Sequence, residues 1–379
     1  MSAEQSSRPT LTVECLQSAE AVEQLRAIWQ TLERLDPHCT PFNTWTWNSL
    51  WWHHYRKAGD TLALLIVRQE RRVVAIAPLY IHSSRMCKVI PVRELRFVGS
   101  GGGTCADYLD IIALPALRRA AEQAVMHYLP SIPGWQKLLL TGMREGSNLA
   151  RQASLFVAEH SGVTLAQQHH VLQTAALPDT VEDYRAQLSG EQFEQNDHAQ
   201  HGLDAAGEAR LSICASNEEL AEAADALLEL HRQCSDHPPE ADAFRSVADE
   251  QFHRAVIRQF FAADALWLAT LTLNEQIIGV EYIFIWRGEL LFVHGAYSPE
   301  HESLSPGHVL FTHVIQRGIE QGMTGLNLLK GQNPSQSAYA RDRTHTVDIG
   351  YLRPGIRGLI AATRDRMSRP QNELASRSF

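Results

Sequence analysis

The feature that most constrains the fold of this chain is an internal duplication. Residues 60–81, DTLALLIVRQERRVVAIAPLYI, align without a gap on residues 264–285, DALWLATLTLNEQIIGVEYIFI. Each segment has two apolar runs, rich in β-branched residues, on either side of a polar turn, and this pattern predicts a β-hairpin. A repeated unit indicates much of the architecture before any local motif is considered.

The similarity continues beyond the hairpin. In both halves a strand, a polar loop, a helix and a short strand ending in glycine follow it. The paired segments are 95–99 with 290–295, 114–129 with 305–322, and 135–142 with 325–331. Helices also precede each hairpin, and the predicted helices are 44–59 in the first half and 217–234 and 248–264 in the second. The same elements, twice in order, predict two copies of one domain.

The chain has 379 residues, of which 44% are hydrophobic, so it can form two domain cores. The duplication predicts an N-terminal domain at 1–177 and a C-terminal domain at 208–355. We expect a linker or long helix at 178–207 and a polar tail at 356–379.

Composition argues against several functional classes. A formal net charge of −9 disfavours a general nucleic-acid partner. The six cysteines are scattered without a C-x-x-C pair, as in reduced thiols of a cytoplasmic protein. No apolar run approaches the roughly 20 residues of a membrane helix. His231, Cys234 and His237 share a helical spacing but have no evident further ligand, so we expect no metal.

The duplicated layout resembles a known family. With the aromatic PFNTWTWNSLWW, DYLD in the first half and SPG opening a helix in the second, residues 12–353 resemble the CelD-type GNAT acetyltransferases, a group related to Fem-type peptidyl transferases. The resemblance implies an α/β (α+β) fold of two tandem GNAT-like domains, each a mixed, largely antiparallel sheet flanked by helices. It also implies acetyl-CoA or another acyl-CoA as donor, bound by the C-terminal domain.

The expected donor site lies between residues 295 and 308. A helix N-terminus binds phosphate through its free amides and its dipole. Ser305 is a suitable N-cap, Gly307 removes a side chain beside the amides, and His308 could add a donor. Gly295 and Ala296 would permit a bulge and close approach of a pantetheine arm. An ordinary capped helix is the alternative interpretation of this segment.

Three residues are candidates for the chemistry of acyl transfer. Tyr339, beyond the last strand of the second copy, is the candidate acid, and Glu281, on an otherwise apolar strand, is a candidate base. His294 beside the expected bulge is a second candidate base. Structural roles for the tyrosine and the histidine remain open.

Asp107, Tyr108 and Lys330 are candidates for binding a small-molecule or saccharide-linked acceptor between the domains. Relatives carry an acidic residue where this chain has Asn327, and an arginine-rich helix where it has acidic and amide residues at 190–207. These departures keep two alternatives open. One is a degenerate, non-catalytic GNAT pair serving exopolysaccharide biosynthesis, and the other is a Fem-like aminoacyl transferase.

The stretch FVGSGGGTCADYLDI, residues 97–111, is the most glycine-rich in the chain. An apolar run that begins at Asp107 follows the glycines and looks like a strand, so no helix dipole is available for a phosphate. We therefore predict a flexible loop between strands that lines the groove between the domains.

Overall fold

A computed structural model of the chain describes residues 10–18, 20–86, 90–104, 106–165, 167–233, 243–330 and 334–355. The first half contains, in chain order, β1 (Leu11–Leu16), α1 (Glu20–Gln24), α2 (Arg26–Leu35), α3 (Trp45–Tyr55), β2 (Thr61–Leu62), β3 (Leu64–Gln69), β4 (Arg72–Ala77), β5 (Leu79–Met86), β6 (Ile90–Phe97), β7 (Ile112–Ala113), α4 (Arg118–Tyr128), β8 (Lys137–Arg144), α5 (Asn148–Glu159), β9 (Val163–Thr164) and β10 (Gln168–Ala176).

The second half follows the same scheme after two connecting helices. Its elements are α6 (Val181–Gln187), α7 (Gly190–Ala206), β11 (Ala209–Ile213), α8 (Asn217–Gln233), α9 (Val247–Phe261), β12 (Leu266–Leu273), β13 (Gln276–Trp286), β14 (Glu289–Tyr297), α10 (Pro306–Glu320), β15 (Gly325–Asn327), α11 (Pro334–Ser337) and β16 (Asp342–Leu352). Short 3-10 turns lie at Pro41–Asn43, Pro115–Leu117, Leu129–Ser131 and Pro299–Leu304.

The predicted hairpins form in both halves. Strand β3 pairs with β4, and β12 pairs with β13, both antiparallel. The copies differ at Pro78, which aligns with Tyr282 of the unbroken β13. Proline has no N–H for a strand ladder, and here the first-half strand changes sheets. Its part before Pro78 belongs to a four-stranded sheet, and its part after Pro78 pairs with β6 in a 12-stranded sheet.

The large sheet joins the halves by exchanging their last strands. Strand β10, from the first half, lies between β15 and β16 of the second, and β16 pairs with β8 of the first. On either side, β14 runs parallel to β15 and β6 runs parallel to β8. Each half therefore completes the sheet of the other, which the sequence did not indicate. The predicted division at 177 and 208 stays a prediction.

Helices cover both faces of the second-half sheet, and the alternation along β13 decides which residues face which helix. Tyr282 and Phe284 pack in the cluster that contains α8 and α9 residues, whereas Ile283 packs with residues of α10. The buried helices α3 and α9 also contact each other across the two halves. None of the described helices is long and apolar enough to cross a lipid bilayer.

Several predictions fall partly or wholly outside the described residues. Cys39 and Cys214 are buried free thiols, whereas Cys87, Cys105, Cys234, His237, Gly331 and the tail 356–379 lie outside the described residues. The connection predicted as a linker or long helix consists of two helices, α6 and α7. The strand expected after the glycine-rich loop is shorter than predicted, because only Ile112 and Ala113 pair with β4.

Candidate active site

The second-half sheet opens between β14 and β15. The two strands pair in parallel only from Glu289 to Leu291, and beyond Leu291 the described residues give β14 no strand partner on that side. A bulge at Val293 interrupts its pairing with β13, because Tyr282 lies opposite His294 and Ile283 lies opposite Phe292. We expected a bulge at Gly295–Ala296, and it lies two residues earlier.

Glu281 lies opposite Gly295 at this opening and is 1% exposed. Its Oε1 accepts a hydrogen bond from the Tyr297 hydroxyl and one of 2.9 Å from Gln336 Nε2. Burial raises the pKa of Glu281 to about 8, while the two hydrogen bonds act in the opposite direction. A carboxyl group with a pKa near neutrality can exchange protons with a substrate.

Tyr297 is not among the site residues predicted from the sequence. Its ring covers Gly307, where an added Cβ would come within 2.7 Å of the ring. Its hydroxyl lies over Gly295, so that both glycines are required for its packing. The period-two spacing of Gly295 and Tyr297, opposite a buried Glu281, is the signal that could have indicated this tyrosine.

A second polar cluster includes His308, the residue that follows Gly307 on α10. Tyr339 donates a 3.0 Å hydrogen bond to Asn196 Oδ1 on α7, and His308 Nε2 contacts the same oxygen. The Tyr339 hydroxyl and His308 Nε2 are 3.4 Å apart. Burial raises the pKa of Tyr339 to about 12 and lowers the pKa of His308. The tyrosine is therefore protonated and the imidazole neutral at physiological pH.

The start of α10 differs from the expected capped helix. Ser305 occupies the N-cap position in a left-handed conformation, with φ 50° and ψ 50°, and its side chain makes no capping hydrogen bond. The amides of His308 and Val309 both donate to the Ser305 carbonyl. Pro306 has no N–H. Of residues 306–309, Gly307 therefore has the one amide that does not donate to the Ser305 carbonyl. Ser305 therefore occupies the predicted N-cap position but does not cap the helix with its side chain.

The structure does not bring all three candidate catalytic residues together. Glu281 contacts Gln336 on α11, and Tyr339 follows α11 after one residue. His294 lies on the opposite face of the sheet, where its Nε2 is 2.9 Å from His231 Nδ1 on α8. Ala296 packs with the same α8–α9 side of the core. The catalytic role predicted for His294 stays a prediction.

The candidate acceptor residues meet where the two halves join. Lys330 Nζ lies 3.0 Å from the carboxylate of Asp107, which is fully buried. Burial raises the pKa of Asp107, and the ammonium of Lys330 opposes this effect. Asn327 donates a 3.1 Å hydrogen bond to the hydroxyl of Tyr108, which is 3.0 Å from Thr344 Oγ1. Asn327 therefore connects the two halves through the hydroxyl of Tyr108.

The glycine-rich loop is held in place by the second half. Gly103 donates a 2.9 Å hydrogen bond from its amide to Asp249 on α9 and accepts one of 2.9 Å from His253 Nε2. An added Cβ at Gly103 would collide with the backbone oxygen of Ala243. The loop lies between the halves, as expected, but close packing explains its glycines better than the predicted flexibility.

Comparisons with known proteins agree with this fold. Residues 195–340 match the family model described as an acetyltransferase (GNAT) domain. The crystal structure of FemX has a TM-score of 0.57 at 8% identity, over 90% of this chain and 98% of FemX. No curated protein sequence matches the chain.

Two further solved structures share the fold. The C-terminal domain of a putative lysylphosphatidylglycerol synthetase from Agrobacterium fabrum has a TM-score of 0.53 at 10% identity, over 92% of this chain and 96% of that one. A conserved protein of unknown function from Bacteroides thetaiotaomicron has a TM-score of 0.51 at 12% identity, over 90% and 100%. With the repeated order of elements, these likenesses confirm the predicted α/β (α+β) fold of two tandem GNAT-like domains.

Proposed function

We propose that this chain is an acyl-CoA-dependent N- or O-acyltransferase, with the donor in the second half and the acceptor between the halves. The observation that carries the proposal is Glu281. A buried carboxyl group with a raised pKa lies opposite Gly295, in the part of β14 beyond its last pair with β15. A GNAT domain match over the same residues supports the reaction class.

The residues around this opening fit an acyl-CoA donor in part. The unpaired edge of β14 offers backbone groups to a pantetheine arm, and Gly295 and Ala296 leave little side chain there. The Gly307 amide and the dipole of α10 favour a phosphate beside Ser305 and His308. An acyl-CoA would supply the activated acyl group as a thioester.

The chain's own residues would then manage the protons. As the acceptor nitrogen or oxygen bonds to the acyl carbon and the carbon–sulfur bond breaks, Glu281 takes the acceptor proton. Tyr339, kept protonated by its raised pKa, returns a proton to the leaving sulfur and recovers one from solvent. Asp107, Tyr108 and Lys330 would hold the acceptor at the contact between the halves.

A second candidate is a non-catalytic GNAT pair, and two observations favour it. The Tyr297 ring lies against Gly307, where a phosphate would need to approach. Helix α7 beside it carries Glu191, Glu194, Asp197 and Asp204 and no arginine or lysine. Negative charge at this position disfavours an anionic donor.

One experiment separates the two candidates. The full chain is titrated with acetyl-CoA by calorimetry, and thiol release from acetyl-CoA is then followed with a panel of amines and amino sugars. The acyltransferase predicts saturable binding and acceptor-dependent thiol release. A folded chain that shows neither response would contradict the enzyme and support the non-catalytic pair.

A further inference from the structure

A groove on the outer side of the second half has no role in the proposed reaction. It lies between α6, α7 and α10, has a cavity volume of about 240 Å³ and is open to solvent at its mouth. Its walls include Arg185, Leu188, Phe193, Asp197 and Gln316. This volume is slightly below the range of about 300–1,000 Å³ that is typical of pockets for drug-sized ligands, so the groove suits a smaller molecule.

A separate cleft, lined mainly by residues of β11, β12 and α8, has a smaller volume of about 130 Å³. That second cleft contains the buried thiol of Cys214, whose pKa burial raises to about 12, so the thiol is unreactive there. The groove beside α7 is therefore the stronger candidate for a ligand.

The groove carries one charge of each sign. Arg185 on α6 and Asp197 on α7 are its charged lining residues. Arg185 Nη2 is 3.5 Å from Gln316 Oε1, and Asp197 Oδ2 is 3.3 Å from His201 Nδ1, both at the exposed surface. The guanidinium has five N–H donors and the carboxylate about four acceptor positions, so both retain capacity for a ligand.

An aromatic side chain and an amide complete the walls. Phe193 is 57% exposed and is the one exposed large aromatic residue of the described chain. Asn196 uses its Oδ1 for Tyr339 and His308, and among the described residues its Nδ2 has no hydrogen-bond partner. The groove thus offers an apolar platform beside a cation, an anion and an amide donor.

We propose that this groove binds a small zwitterion of the α-amino-acid class. Its carboxylate would pair with Arg185 and accept from Asn196 Nδ2, and its ammonium group would pair with Asp197. An aliphatic side chain would lie on Phe193 and Leu188. Because Asn196 also holds Tyr339, a ligand here contacts the residue that positions the candidate acid.

The test uses the full chain and three probes that share one carbon skeleton. L-leucine carries both charges, 3-methylbutylamine lacks the carboxylate, and 4-methylpentanoate lacks the ammonium group. Calorimetry should give millimolar binding of L-leucine and binding at least about tenfold weaker for each single-charge probe. Equal binding of the three probes, or no binding of L-leucine in the millimolar range, would overturn the proposal.

Matched variants locate the site. Arg185→Gln and Asp197→Asn should each weaken L-leucine binding by about tenfold. Arg317→Gln, further along α10, and Asp204→Asn, further along α7, remove the same charges outside the groove and should leave binding unchanged. Equal losses in the control variants would overturn the assignment. Binding of L-leucine is measured without acetyl-CoA, so its result is independent of the proposed transfer reaction.

Discussion

The two halves of the molecule share one order of elements and differ in what occupies the opening between their parallel strands. In the second half, β14 separates from β15 and leaves Glu281 beside the unpaired edge. In the first half, Ala77 aligns with Glu281, and the segment that precedes β7 fills the corresponding opening. Leu109 there donates a 3.0 Å hydrogen bond to the carbonyl of Gly142 on β8.

This difference indicates how a duplicated fold can divide its tasks. In the first half, the segment at the opening packs against the second half. Its Tyr108 contacts Asn327, and its Asp107 contacts Lys330. The second half keeps the opening and the buried carboxyl group. The same order of elements therefore forms a packed contact in the first half and a candidate site in the second.

The largest expected effect is the fall in kcat when the carboxyl group of Glu281 in the second half is removed, in comparison with a carboxyl group of the first half. Glu281→Gln should lower kcat by about 10²–10⁴, because the candidate base can no longer take a proton. Asp110→Asn is the first-half control, since burial also raises the pKa of Asp110, to about 7. Asp110 lies beside Arg118, away from the opening of β14, and its substitution should leave kcat unchanged.

Steady-state kinetics on both variants, with acetyl-CoA binding measured in parallel, checks this prediction. Glu289→Gln, at an exposed position of β14, provides a second control. Full activity in Glu281→Gln, or an equal loss in Asp110→Asn, would break the proposed division between the halves.

The next effect is on the pH dependence of stability. The folded-state pKa of Glu281, about 8, lies above its ordinary value of 4.5. The folded state therefore binds more protons than the unfolded state between these values, and the free energy of unfolding falls as pH rises through this window. Glu281→Gln should reduce that fall by about 2–4 kcal/mol. Urea unfolding across the window measures it, and parallel curves for both proteins would contradict the assigned burial.

A smaller effect is expected where the halves touch at the glycine-rich loop. Gly103→Ala should lower the free energy of unfolding by about 1–3 kcal/mol, because its Cβ meets the rigid backbone of Ala243. Gly101→Ala has no neighbour within 4 Å but requires a φ of +84°, so we expect about 1 kcal/mol. Urea midpoints compare the two. A larger loss of stability at Gly101 than at Gly103 would show that the loop needs glycine for its backbone conformation rather than for close packing.

The smallest expected effect is a shift of the pH–rate profile when Tyr297 loses its hydroxyl group. Tyr297→Phe removes a hydrogen bond that lowers the pKa of Glu281. The pKa of Glu281 should therefore rise further. Because Glu281 accepts a proton only when it is deprotonated, the pH at which activity increases should move upward by about one unit or less. A pH–rate profile of each protein measures the shift. Movement toward lower pH would contradict the assigned hydrogen bond.

The sequence predicted the repeated elements well because they depend on local periodicity. The gapless alignment of residues 60–81 with 264–285 places both hairpins correctly, and the helices at 217–233 and 247–261 follow their apolar spacing. The exchange of β10 and β16 depends on long-range pairing, for which no local pattern exists. Ser305 suits an N-cap by residue type, but its left-handed conformation depends on the turn before it.

The candidate site was predictable only where the local sequence distinguishes a residue from its neighbours. Glu281 was identifiable because a carboxyl group interrupts an apolar strand. Tyr297 and Gln336 approach it only when the strand, α10 and α11 are packed together. Asn196 is not predictable from the sequence, because it belongs to a polar helix in which nothing local distinguishes it.

The central claim is that the second half alone binds the acyl donor. Calorimetric titration of the full chain with acetyl-CoA, combined with hydrogen exchange of the bound and free chain, tests it most directly. The account predicts one equivalent of acetyl-CoA per chain and added protection confined to residues 292–310. Two equivalents, protection centred on residues 97–118, or no binding would contradict it.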